Sequence, residues 1–237
     1  MRQIHEGMST ITERPATRRG VVRGAAVAGG AAMALAGAPL VSQYKALAQD
    51  ETGDDIISVL NYALTLEHLE NQFYAAGLGT FVSADFEALG FLPGVFDFVT
   101  QIGADEAAHV ETLTTVITDL GGDPVEAGEY EVTDALASAD AFLATAQALE
   151  NTGVGAYTGA AKFLIENDEL LTAALTIHGV EARHAAYLNI LNDETPFPDA
   201  FDEPLTPAEV VEIAGPFIID AEVVTPEAFE AEGTPEA

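Results

Sequence analysis

From residue 54 to residue 192, apolar side chains recur at alternating steps of three and four along four separate segments, the period of an amphipathic α-helix. The first segment places Ile56, Leu60, Ala63, Glu67, Glu70 and Tyr74 on one face, and Gly77 with Gly79 predicts its end. After a loop with a short turn around residues 84–89, Pro93 opens the second segment. Its inner face reads Val95, Val99, Ile102, Glu106, His109, Leu113, Val116 and Leu120 before Gly121-Gly122 stops it. Residues 123–132 show no period, carry Pro124, Gly128 and several acids, and are long enough when extended to run the length of a bundle. Thr133 or Asp134 then caps a third segment that faces inward with Leu143, Gln147, Glu150, Val154, Tyr157, Ala161 and Leu164. A fourth, from near Asn167, presents Leu170, Ala174, Ile177, Glu181, His184, Leu188 and Leu191. Faces that step by sevens pack as a left-handed bundle. The pattern therefore predicts an all-α, antiparallel four-helix bundle over residues 54–192, two hairpins joined by a long crossover. Residues 193–237 turn Pro-rich and acidic and read as an irregular C-terminal tail. Its one apolar run, Phe217-Ile218-Ile219, is expected to pack on the bundle or on a second subunit, and its last residues to be disordered.

Each inner face is interrupted by acid. The second and fourth segments carry Glu106-x-x-His109 and Glu181-x-x-His184; the first and third carry Glu67 and Glu150, each followed seven residues on by a tyrosine, Tyr74 and Tyr157. Glu and His at i and i+3 share a helix face and can bind one ion. One such pair arises by chance on any solvated helix. Two pairs on alternate helices, with a glutamate centred on each helix between, do not, because every one of them breaks an apolar stripe. A buried unpaired carboxylate costs several kcal/mol, and four would consume a domain's net stability of roughly 5–15 kcal/mol. Two divalent cations balance their charge. Carboxylate and imidazole without thiolate suit two iron or two manganese ions. Glu67 and Glu150 would each ligate one ion, Glu106 and Glu181 would bridge the pair, and His109 and His184 would each cap one. Glu70, three residues beyond Glu67, competes with it; the match to Glu150 favours Glu67. Asp105 and Arg183 precede a ligand in sequence and are candidates for orienting an imidazole, with an ordinary surface charge as the alternative. Tyr74 and Tyr157 are candidates for hydrogen-bonding or relaying electrons, a packed core tyrosine being the plainer reading, and no catalytic residue is assigned. His178, a turn before Glu181, borders the site; His68 points away from it.

Composition narrows the partners. The chain of 237 residues carries a formal net charge of −31, and beyond position 50 the only basic residues are Lys162 and Arg183. Such acidity often signals disorder, but 49% hydrophobic residues suffice for a core. The reading is an acidic, salt-adapted shell on a folded domain, with nucleic acid and anionic membranes excluded as partners. The absence of cysteine removes disulfides, iron–sulfur clusters and thiolate zinc. All three methionines fall in the first 33 residues, which removes methionine-ligated haem from the mature chain.

The first 48 residues read as a twin-arginine signal peptide. Thr17-Arg18-Arg19-Gly20-Val21-Val22 precedes an Ala/Gly-rich, weakly apolar run, and Ala46-Leu47-Ala48 is a small-x-small cleavage site. The glycines make that run a poor membrane anchor, so no membrane span is expected after cleavage. A mature protein starting near Gln49, extracellular or at the cell surface, is expected.

The order Glu67, Glu106-x-x-His109, Glu150, Glu181-x-x-His184 resembles the ferritin-like superfamily, and the wording LEHLENQFY, LENTGVGAYTGAA and VEARHAAYL is similar to the ferritin-like domain family that includes desiccation-related proteins. The resemblance implies a di-iron or di-manganese carboxylate site reacting with oxygen or peroxide, without fixing one reaction. Rubrerythrins, bacterioferritins and cage-forming ferritins fit less well, because the chain has no cysteine and no mature-chain methionine, and a Pro-rich acidic tail where storage ferritins often carry a short fifth helix. An exported dimetal oxidoreductase using oxygen, peroxide or ferrous iron, of ferroxidase or manganese-catalase-like activity, is the leading expectation. A non-turnover, stress- or desiccation-protective metal protein is the alternative, and an adhesion or assembly module a third. A homodimer is compatible with all of them.

Overall fold

The computed structural model describes residues 52–219, with side chains from residue 56 onward. The expectations for the leader and for the last residues of the tail lie outside the described residues. Six helices follow in order: α1 (Thr52–Thr80), α2 (Ser83–Ala88), α3 (Val95–Leu120), α4 (Ala139–Ala160), α5 (Asp168–Leu191) and α6 (Pro207–Ala214). α1 packs chiefly on α3 and α4 on α5, the two hairpins of a helical bundle. No strand occurs among the described residues, only one antiparallel bridge between Tyr130 and Ile218. None of the described helices is long and apolar enough to cross a membrane.

Several helix ends differ from those the sequence predicts, each for a local reason. α1 continues through Gly77 and Gly79. A Cβ at Gly77 would stand 2.2 Å from the Phe142 ring, so this glycine serves close helix contact and is not a stop. α3 begins after Gly94, whose φ of 104° suits glycine, and ends at Gly121 with φ 88°. Its buried stripe takes Ile117 in place of Val116. α4 is capped by Ser138, whose Oγ accepts from the Ala141 N–H at 3.1 Å; Thr133 and Asp134 lie in a preceding turn.

The crossover is tied down by a polar stripe along α1. Asn61 donates to the Asp123 carbonyl at 3.1 Å and accepts from the Val125 N–H at 2.9 Å. Gln72 donates to the Gly128 carbonyl at 3.2 Å, and His68 Nε2 lies 3.1 Å from the Val125 carbonyl. His68 does point away from the inner face, yet it is half-buried because it holds this segment.

The tail is not irregular throughout. Thr206 caps α6 in a capping box with Glu209, Pro207 occupies the first turn, and Pro207, Val210 and Ala214 are buried. Residues 203–205 lie across α4 where Gly155 and Gly159 leave no side chain in the way. The Leu205 N–H donates to the Gly155 carbonyl at 2.9 Å, and a Cβ at Gly159 would stand 2.0 Å from the Leu205 carbonyl oxygen. Phe217 and Ile218 pack against the bundle core.

The core forms two clusters. One is rich in rings, with Phe73, Tyr74, Phe81, Phe86 and Phe142. The other is mostly aliphatic, with Val59, Leu60, Leu64, Leu113, Ile117, Leu164 and Tyr157. The interrupting acids lie between them in the register of the four long helices.

Candidate metal centre

The heptad-like register places one turn of α1, α3, α4 and α5 at the same level, so the four interruptions converge. Glu67, Glu106, Glu150 and Glu181 are fully buried, and His109 and His184 are 8% and 7% exposed. They form two groups that share two members: Glu67, Glu106, His109 and Glu181 in one, and Glu106, Glu150, Glu181 and His184 in the other.

Distances define the two positions. His109 Nδ1 lies 3.2 Å from Glu67 Oε2, 3.1 Å from Glu106 Oε2 and 3.1 Å from Glu181 Oε1. His184 Nδ1 lies 3.0 Å from Glu106 Oε1 and 3.1 Å from Glu150 Oε2. Glu106 thus turns one oxygen to each position. A ring nitrogen carries at most one proton and satisfies one oxygen well, yet three carboxylate oxygens surround the Nδ1 of His109. Glu106 Oε1 and both oxygens of Glu181 are buried without an aligned hydrogen bond. Buried carboxylate oxygens in this state are neutralised by a proton or by a cation. The residues present therefore fit a pair of metal ions: two bridging and two terminal carboxylates with one imidazole nitrogen at each position.

The tyrosines cross over. Tyr157, on the helix of Glu150, donates to Glu67 Oε1 at 2.5 Å; Tyr74, on the helix of Glu67, donates to Glu150 Oε1 at 2.6 Å. Each bond fixes one oxygen of a terminal carboxylate and leaves Oε2 facing the imidazole. Asp105 also reaches across, since its Oδ2 lies 3.2 Å from Nε2 of His184, not of His109, while Gln101 holds its other oxygen at 2.8 Å. Such a carboxylate sets the tautomer that presents Nδ1 inward.

Glu70 is 3% exposed and beside the cluster. In the internal match its counterpart is Gly153, where a Cβ would stand 3.1 Å from Glu181 Oε2 and 3.5 Å from Glu70 Oε1. The glycine makes room for a fifth carboxylate, which the match to Glu150 alone does not reveal. Arg183 is exposed and is not brought to the cluster. His178 faces α4, its Nε2 3.1 Å from Thr158 Oγ1, lines a cleft together with Tyr157, and is not among the clustered ligands.

Without metal the cluster is charge-frustrated. Burial pushes Glu106 up to about 7, and raises Glu150 against the opposing bonds from His184 and Tyr74. Burial, then the repulsion of neighbouring glutamates, raises Glu70 and Glu181 well above the carboxylate range. Burial disfavours an imidazolium, but the bonds from Asp105, Glu106 and Glu150 outweigh it and push His184 up to about 12; Glu106, Glu181 and Glu67 likewise raise His109. Burial, then Glu150 and Glu67 respectively, raises Tyr74 and Tyr157, so both phenols stay protonated donors.

A family model described as a ferritin-like domain matches residues 55–194, the span that contains all six of these side chains. No curated protein matches the chain.

Proposed function

The chain belongs to the ferritin-like domain family, and on that premise we propose that it is an exported, salt-adapted oxidoreductase. It holds two iron or two manganese ions and acts on oxygen, peroxide or ferrous iron. The observation that carries this reading is the convergence of two imidazole nitrogens on shared carboxylates, with three buried glutamate oxygens lacking a hydrogen bond.

Glu67 with His109 would hold one ion and Glu150 with His184 the other, while Glu106 and Glu181 span both. Two such ions, when bound, supply paired one-electron redox steps and Lewis acidity toward an oxygen substrate. Tyr74 and Tyr157 keep the terminal carboxylates turned by donating to Oε1. Asp105 holds the His184 ring. Two divalent charges neutralise four carboxylates, so the fifth, Glu70, whose carboxyl is raised well above the usual range by burial, keeps its proton beside the centre. Phe73, Phe81, Phe86 and Phe142 exclude water on the Tyr74 side.

The twin-arginine pattern at Arg18-Arg19 and the small-x-small site at Ala46-Leu47-Ala48 support export to the cell surface or beyond, with residues 1–48 removed, and the acidic composition supports work in concentrated salt. The same composition argues against nucleic acid as a partner, and a homodimer is compatible with the fold. The wording around Glu67, Glu150 and Glu181 supports the desiccation-related branch.

The test is to express the chain from Gln49, measure its metal content, and assay peroxide disproportionation and ferrous oxidation in high salt. Two iron or manganese ions per chain with turnover is the expected result. A folded protein that binds no metal and is indifferent to Glu181→Ala would overturn it. One observation favours a second reading, a non-turnover protective protein: the four glutamates are fully buried and Tyr74 is 0% exposed. Two tightly held ions that never change oxidation state would select that reading.

A further inference from the structure

Behind Tyr157, on the side away from Glu67, the surface opens into a cleft of about 430 Å³ between α4, α5 and residues 199–202. Its size is that of a small-molecule site. Its walls are apolar at Ala174, Leu171, Leu175 and Phe201, and the last two are 53% and 88% exposed, large apolar side chains left in water at the mouth. Its polar lining is Tyr157, Thr158, His178, Asp199 and Asp202.

The hydrogen bonds already made fix what such a lining can receive. The Tyr157 hydroxyl gives its proton to Glu67 Oε1. Thr158 Oγ1 gives its proton to the Val154 carbonyl at 2.9 Å, so in its 3.1 Å contact with His178 it must accept, and Nε2 donates. Nε2 of His178 is thereby committed to Thr158. Asp199 and Asp202 are acceptors, with Asp202 Oδ2 3.7 Å from His178 Nε2. The hydroxyls of Tyr157 and Thr158 and Nε2 of His178 are committed, the two carboxylates accept, and neither Lys162 nor Arg183 lines the cleft.

We propose that this cleft is a binding site for a small organic ammonium ion, an apolar body carrying one protonated amine. The amine would donate to the Asp199 and Asp202 carboxylates, with its apolar part against Leu171, Leu175 and Ala174. The rings of Tyr157 and Phe201 add faces that attract a cation. An anion meets two carboxylates and neither a lysine nor an arginine. The site stands on the cleft alone and does not depend on which ion, or whether any ion, the glutamates hold.

Benzylammonium, benzyl alcohol and benzoate share one body and differ in charge and donors, so they are the probes for calorimetric titration of the full chain. In about 1 M salt, where the Debye length falls to about 3 Å, diffuse attraction to the acidic surface is screened. One saturable benzylammonium per chain is expected there. Benzyl alcohol should bind about tenfold more weakly or worse, for loss of the charge-assisted contact, and benzoate should not bind. Ala174→Phe, which fills the cleft, and the exposed double change Asp199→Asn with Asp202→Asn, which cannot upset the core, should each weaken benzylammonium by about tenfold or more. Binding that never saturates, that is unchanged in the Asp199→Asn, Asp202→Asn chain, or that is matched by benzyl alcohol would overturn the proposal. Retained binding in a Glu106→Ala chain would support it even if the metal reading failed.

Discussion

Around Glu150 and His184 the protein is packed with rings: Tyr74 is 0% exposed, in edge contact with Phe73 at 5.4 Å and Phe142 at 6.0 Å, and those two stack at 4.9 Å. Around Glu67 and His109 the corresponding tyrosine, Tyr157, is 8% exposed and borders the cleft lined by His178 and Phe201. In the repeat that pairs Glu67 with Glu150, Ala156 and Val59 match Phe73 and Phe142. Gly153 matches Glu70, and Val180 matches Asp105. The six candidate ligands obey the two-fold repeat, because two ions of equal charge would demand equal donors. The residues one step out do not obey it, because only one side needs to be closed. One half holds its imidazole with Asp105 behind a ring cluster, and the other leaves its tyrosine facing a cleft.

The largest test removes what both halves share. Glu106 turns an oxygen to each position, so Glu106→Ala is expected to abolish binding at both, whereas Glu67→Ala or Glu150→Ala should spare the opposite one. Metal content per chain distinguishes two, one and none.

Next comes the seal. Phe142→Ala should cost about 3–5 kcal/mol in denaturant unfolding, the range for emptying a buried ring site, while the repeat-matched Val59→Ala removes far less volume and should cost clearly less. Equal losses would mean that the ring cluster is not what distinguishes the two sides.

Metal removal should reverse the pH response. Glu106 is raised from 4.5 to about 7 and His184 from 6.5 to about 12 in the folded, metal-free state. A raised folded-state value gives stability that is complete below the unfolded value and is lost as pH climbs through the folded one. The stripped protein should therefore melt at progressively lower temperature from about pH 5, through the Glu106 value near 7, and onward toward the His184 value near 12, while the loaded protein, whose ligands have already given up those protons, should not.

Asp105→Asn should weaken metal binding at the His184 position by roughly 10–100-fold, as loss of an imidazole's carboxylate partner does. The other position should be unchanged, so a titration should resolve two steps further apart than in the parent chain. The smallest effects belong to the tyrosines. Tyr74→Phe and Tyr157→Phe each remove one buried hydrogen bond, worth about 1–3 kcal/mol to a charged acceptor, and Tyr157→Phe should be the milder because Tyr157 borders the cleft while Tyr74 is enclosed by rings. Thermal melts of the two variants side by side measure the difference.

Much of this was legible in the chain. Glu67, Glu106, His109, Glu150, Glu181 and His184 each interrupt an apolar stripe, and a stripe is read at fixed spacing along one helix. Tyr74 and Tyr157 could be noticed for the same reason, but not their crossed partners, because which glutamate a tyrosine reaches depends on the neighbouring helix. Glu70 looked like a rival to Glu67, and only the vacancy at Gly153 shows how both are accommodated. Its spacing from Glu181 puts His178 at the border of the site, yet the ring faces Thr158. Arg183 was adjacent to a ligand in sequence and is nonetheless exposed. The docking of the tail on Gly155 and Gly159 had a signal, small residues four apart on the outer side of a helix, that is easily passed over.

The sequence by itself determined the bundle, the register of its interruptions and the charge problem they create, because helical period and charge are local and countable. Only the tertiary structure decided which oxygen faces which nitrogen, that Asp105 serves the distant histidine, and that one side of the cluster is closed while the other borders a cleft. Those are matters of contact between helices far apart in the chain, and the spacing of residues along one helix carries no information about its neighbour's side chains.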